Sequence, residues 1–155
     1  MKNFQKIVNI CLANDWLTKN PFSNYKTKLE AVTPHFLSEQ QLDVVYHKKF
    51  SSERLSVIRD LFVFSCYTGL AYIDIKNLQT DHITVGIDGG RWIKTVREKT
   101  KIAVSVPVLD VALEILDKYA DHPKCINSNA ALPVPSNQKM NEYLKEISTL
   151  CNLDF

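Results

Sequence analysis

Ile83-Thr84-Val85, Arg91-Trp92-Ile93-Lys94-Thr95-Val96 and Val104-Ser105-Val106-Pro107-Val108 are three short runs rich in β-branched and aromatic residues. Such residues favour a pleated, half-buried surface. Asp88-Gly89-Gly90 joins the first two runs as a tight turn, and Glu98-Lys99-Thr100-Lys101 joins the second and third. Short connections of this kind pair strands antiparallel. The three runs predict a small three-stranded antiparallel sheet.

Both flanks of this sheet read as helix. Before it, Ser38 with Gln41 three residues later matches a capping box, opening a helix that carries Leu42, Val45 and Tyr46. A second helix follows Ser51-Ser52-Glu53, with Leu55, Ile58, Leu61, Phe62 and Ser65 on its inward face. Val63 and Phe64 widen that stripe, so this helix should be the most buried, and Thr68-Gly69 stops it. A short helix from Tyr72 to Leu78 buries Ile75 and Leu78. After the sheet, helix returns over Asp110–Tyr119, with Val111, Leu113, Ile115 and Leu116 apolar. A loop is expected from Asn127 to Pro135, and Ser136 caps a last helix bearing Met140, Tyr143, Leu144, Ile147 and Leu150. The fold class is α+β, mainly helical.

The N-terminal stretch stands apart. Phe4, Ile7, Val8, Cys11 and Leu12 share one helical face, ending near Asn14-Asp15, and Asn20-Pro21 breaks the chain. So short a helix cannot bury its stripe alone. Residues 1–22 read as the last helix of something upstream, and the polar, Lys-rich segment 23–36 reads as a linker.

In composition the chain is an ordinary globular protein of 155 residues, 45% hydrophobic and 23% charged, which excludes a disordered chain. No apolar run reaches the ~18–20 residues that span a bilayer. No apolar signal core follows Met1-Lys2-Asn3-Phe4, so a cytoplasmic location is expected. Cys11, Cys66, Cys125 and Cys151 are too scattered for a zinc site. They are expected to be reduced, with Cys11 and Cys66 as small core residues. Neither metal nor cofactor is expected.

The formal net charge is only +2. Arg91 to Lys101, however, holds five cations against the single Glu98, a local net of +4 that leaves −2 for the remainder. Arg97, Lys99 and Lys101 at a hairpin tip suit phosphate contacts, with Thr100 between them. The same residues would also serve as a solvated edge protected by lysines. Strand alternation sets Arg91, Thr95 and Arg97 on the face opposite Trp92, Lys94 and Val96. Asn137-Gln138-Lys139, opening the last helix, could read phosphates or base edges, or simply cap it. Asp74 falls in the first turn of its short helix, where the helix dipole stabilises a carboxylate.

Thr68-Gly69-Leu70-Ala71-Tyr72-Ile73-Asp74, the basic hairpin before Val106-Pro107-Val108, and the order of these segments resemble the tyrosine recombinases, or phage integrase family. Integrases of mobile elements such as conjugative transposons are the nearest in pattern. In that family the first segment reads Thr-Gly-Leu-Arg-x-x-(Glu/Asp), so Ala71 stands where the first catalytic arginine is expected and Asp74 is its supporting acid. The family's catalytic lysine on the hairpin corresponds to Lys99.

The resemblance further implies that residues 1–22 end an N-terminal core-binding, SAM-like domain and that 37–155 form the first part of a catalytic domain. The family's His-x-x-Arg segment and tyrosine nucleophile would come after Phe155. Tyr119 and Tyr143 fall at apolar helical positions and read as core. The expected parent activity is site-specific recombination or integration of double-stranded DNA, by protomers that associate on it. This chain alone is expected to bind DNA without cutting it. A non-catalytic DNA-binding or regulatory protein derived from an integrase is the alternative, and a protein-interaction module is a third. Without a following half, Met140, Leu144 and Ile147 are expected to be exposed and to promote self-association.

Overall fold

A computed structural model of the chain describes residues 2–25 and 36–153. It falls into two compact units, residues 1–34 and 35–155. Of the expected linker 23–36, residues 26–35 lie outside the described part.

In the first unit, α1 spans Lys2–Ala13. Of its apolar stripe only Val8 is buried, while Phe4 and Ile7 stay more than half exposed. The Phe4 ring meets Phe22 edge-on, with centroids 5.6 Å apart. The Asn20 side chain accepts a hydrogen bond from the Phe22 N–H at 2.8 Å, folding the chain over Pro21 as a local turn.

The second unit opens as the sequence predicts. α2 spans Glu39–His47, and Ser38 and Gln41 form a reciprocal capping box. α3, Glu53–Thr68, carries seven buried residues and ends at Gly69, whose φ of 63° suits a residue without Cβ. Ser52 occupies the N-cap position without a side-chain cap bond. α4 covers Tyr72–Lys76 and buries Asp74 and Ile75. A short 3₁₀ turn at Thr80–His82 leads into the sheet.

The strands are β1 Ile83–Val85, β2 Arg91–Val96 and β3 Ala103–Pro107, antiparallel in the order β1-β2-β3. Ile93 pairs with Ile83 on one side and Val106 on the other, and is fully buried. Trp92 lies on the opposite face, where its indole N–H donates to both Asp88 carboxylate oxygens at 3.0 and 3.2 Å. The indole sits so close to Gly86 that a Cβ there would meet it at 2.4 Å. Those bonds hold the Asp88 carboxyl below the usual carboxylate range, the Trp92 bond first and the Gly90 N–H second.

α5 spans Asp110–Tyr119, α6 Pro123–Ser128 and α7 Asn137–Leu150. One core joins α3, α5 and α7 to the sheet, with Phe64, Ile58, Leu61, Ile93, Leu132 and Ile147 among its fully enclosed side chains.

Three expectations need correction. α6 occupies part of the expected loop, which begins only at Asn129, in a left-handed conformation. Cys66 is exposed and Cys11 half-buried, whereas Cys125 and Cys151 are the buried thiols. The buried face of α3 runs through Ile58, Asp60, Leu61 and Phe64 and leaves Ser65 half-buried, so the helical period carries Cys66 out of the core. Finally, Met140 and Ile147 are buried and Leu144 half-buried. Leu150 is the exposed apolar residue of α7.

Candidate nucleic-acid interface

The turn between α3 and α4 is built by its own sequence. The Thr68 hydroxyl donates back to the Phe64 carbonyl at 2.7 Å and accepts from the Leu70 N–H at 3.4 Å, closing the helix before Gly69 turns the chain. Ala71, the N-cap residue of α4, is exposed and offers no side-chain cap. Asp74 is only 5% exposed, and its carboxylate accepts from the backbone N–H of Glu98 at 2.8 Å. Asp74 lies in the first turn of α4, as expected, and also makes a bond that reaches 24 residues along the chain.

Glu98 lies in the β2–β3 hairpin loop, residues 97–102. Within that loop the Arg97 N–H bonds the Ile102 carbonyl at 2.9 Å and the Lys101 N–H bonds the Arg97 carbonyl at 2.8 Å. Lys101 adopts a left-handed φ of 56° to make this closure. Lys99 and Thr100 at the tip are exposed, with side chains that make no bond among the described residues. The Lys101 ammonium pairs with the Glu98 carboxylate. Arg97 is half-buried and donates from Nη2 to the Gly69 carbonyl at 3.2 Å. Two bonds therefore fasten the root of the hairpin to the 69–74 turn.

The third segment reaches the same place. Ser136 caps α7 by accepting from the Lys139 N–H at 3.4 Å, and Asn137, Gln138 and Lys139 are exposed. Just before the cap, the Pro135 carbonyl accepts from the Tyr72 hydroxyl at 2.7 Å. The structure thus ties Arg97, the Glu98 backbone and the segment before α7 to residues 69–74. It brings no bond to Lys99.

A buried ionic cluster escaped the sequence reading. Asp60, 1% exposed, accepts from Arg59 at 2.7 Å, Lys118 at 2.6 Å and the Tyr119 hydroxyl at 2.8 Å. It links α3 to α5, and burial together with the bond to Asp60 pushes the Tyr119 phenol up. Tyr46 is raised by its hydrogen bond to Glu114, and Tyr72 by burial. Each of these three phenols donates a hydrogen bond, Tyr46 to Glu114, Tyr72 to Pro135 and Tyr119 to Asp60. Tyr143 lies half-buried under Arg54, 5.1 Å from guanidinium to ring centre.

Among the described residues, no three His, Cys, Asp or Glu side chains gather into a cluster that could hold a metal ion. No helix among them is long and apolar enough to cross a membrane.

No protein-family model matches the chain, and no curated protein does so either. Solved structures do. A lambda integrase dimer bound to a COC′ core site superposes with a TM-score of 0.74 at 16% identity, over 97% of this chain and 44% of that one. A lambda integrase tetramer bound to a Holliday junction gives a TM-score of 0.70 at 16% identity, over 99% of this chain and 46% of its own. XerA recombinase gives 0.55 at 14% identity, over 97% of this chain and 60% of its own. The chain therefore spans about half the length of these proteins, and across that span it has the tyrosine recombinase, or integrase, fold.

Proposed function

We propose that the chain is a DNA-binding part of a site-specific recombinase or integrase of mobile-element type. In this reading it works on double-stranded DNA in the cytoplasm with further protomers. Residues 1–22 end a core-binding domain, 23–36 link, and 37–155 supply the first part of a catalytic domain. The observation that carries this is the fastening of the basic hairpin and the α7 first turn to the 69–74 segment. That arrangement sets Lys99, Thr100, Lys101, Asn137, Gln138 and Lys139 on exposed positions suited to a phosphate backbone.

Arg97 strengthens the reading. Arg54, Arg59 and Arg91 are engaged by Glu146, Asp60 and Asp117 respectively. Arg97 alone has no carboxylate partner among the described residues. Its remaining N–H donors are open for a phosphate at the turn that carries Ala71. Lys99, exposed at the tip, suits protonation of a departing 5′-oxygen, and Asp74 supports the turn. Tyr46, Tyr72 and Tyr119 are engaged as hydrogen-bond donors, and in this reading the chain by itself binds DNA without cleaving it.

Fluorescence anisotropy with a labelled duplex tests the binding. The affinity should be modest and fall steeply with salt, by a log–log slope of about 0.9 per phosphate contact. Tight binding indifferent to salt would overturn the proposal. A covalent chain–DNA adduct on a denaturing gel would overturn the inactivity.

A second reading, a non-catalytic DNA-binding or regulatory protein, is favoured by the exposed Ala71. It predicts that Ala71→Arg changes duplex affinity without creating any cleavage in the intact protein.

A further inference from the structure

We propose that Tyr72 is a positioning residue whose hydroxyl sets the first turn of α7 against the helix that anchors the basic hairpin. The proposal rests on the DNA-binding reading above, and deepens it by naming what fixes the spacing between the two backbone-contacting segments.

Tyr72 and Asp74 are two residues apart on α4, and residues so spaced do not share a helix face. Asp74 turns to the hairpin and takes the Glu98 N–H. Tyr72 turns to the segment before α7, where its hydroxyl donates a hydrogen bond to the Pro135 carbonyl, 63 residues away in sequence. A helix of five residues therefore stands between the two segments, with one hydrogen bond to each.

The α7 side of this link is stiff. Pro133 and Pro135 bracket Val134, and each ring fixes its own φ. Ser136 then caps the helix, so the anchor at Pro135 lies four residues from Lys139 with little slack between them. The Pro135 carbonyl lies outside the α7 ladder, where the Met140 N–H goes to Ser136 instead. Packing of the ring alone would be served equally by phenylalanine. The hydroxyl is the part that specifies position.

Tyr72→Phe, Lys139→Ala and the double variant, compared with the unaltered chain by anisotropy on a mixed-sequence duplex, test the role. Affinities are referred to the folded fraction read by circular dichroism. Tyr72→Phe should weaken binding about two- to tenfold, the range that one hydrogen bond commands. It should also lower the salt slope by about one, as loss of the Lys139 phosphate contact does. Lys139→Ala should then add nothing in the Tyr72→Phe background. Independent, multiplying losses would overturn the positioning role alone, as would an unchanged salt slope in Tyr72→Phe. Failure of the unaltered chain to bind the duplex would overturn the DNA reading and this role with it. Amide exchange on the unaltered chain gives a second measure that needs no variant. Duplex should slow exchange in the hairpin loop and at Lys139 in parallel, and protection of only one segment would refute the coupling.

Discussion

The carboxylate of Asp74 accepts the backbone N–H of Glu98 at 2.8 Å, joining a buried acid in α4 to the start of the basic hairpin loop. A side chain thus does for the loop what a strand neighbour does elsewhere in the sheet. It satisfies a backbone donor and fixes where the loop begins.

Asp74→Ala should cost about 1–3 kcal/mol in urea unfolding, since it leaves the Glu98 N–H without its acceptor. Asp74→Asn keeps an acceptor oxygen and should recover most of that loss. Equal stability of all three proteins would show that the bond contributes nothing.

At the buried cluster, Asp60→Ala strands Arg59 beside an emptied site. Breaking such a pair should destabilise by about 3–5 kcal/mol, with Arg59 contributing more than the half-exposed Lys118. Tyr119→Phe should cost less, about 1 kcal/mol, because it removes one donor and leaves the charges paired. Urea midpoints of the two variants would check the ranking.

The Asp88 carboxyl gives the β1–β2 turn a pH dependence. Its folded value lies below the ordinary 3.8, so its support for the turn is complete above that value. As pH falls through the lowered folded value the proton binds, the clasp on the Trp92 indole loosens, and that support is lost. The Trp92 indole N–H resonance should follow this titration with a midpoint below 3.8, and Asp88→Asn should abolish it.

Glu98→Gln should tighten duplex binding. The substitution removes an anion from the hairpin tip and releases Lys101 from its ion pair, while the backbone bond to Asp74 remains. An increase of about threefold with a steeper salt slope is expected, the sign being set by one freed cation. Weaker binding would mean that the Glu98–Lys101 pair organises the tip for contact.

Much of the fold was legible because local signals and burial agree there. The Ser38–Gln41 box, the Gly69 stop, the Asp88-Gly89-Gly90 turn and the three strands each carry a short-range mechanism in their own residues. α6 was not legible. Its cap is His122, a weak N-cap type, and six residues show no period. Asp60 was passed over because an acid inside an apolar helical face gains its partners only from α5, far along the chain.

The candidate interface was legible as three separate segments, and their order carried the resemblance. Their physical connection was not. Asp74 carries nothing in sequence that names Glu98 as its partner, and Tyr72 reads as one more half-buried ring. Hydrogen bonds across such separations belong to the tertiary structure, and only the fold brings the partners together.

Lys101 closes the hairpin with a left-handed backbone, a conformation that costs a side-chain-bearing residue about 1–2 kcal/mol and costs glycine almost nothing. Glycine there would relax the loop and discard a cation from the patch. If the chain binds DNA as proposed, stability and grip pull in opposite directions at this residue: the cation that would serve a phosphate sits on a backbone that glycine would hold at lower cost.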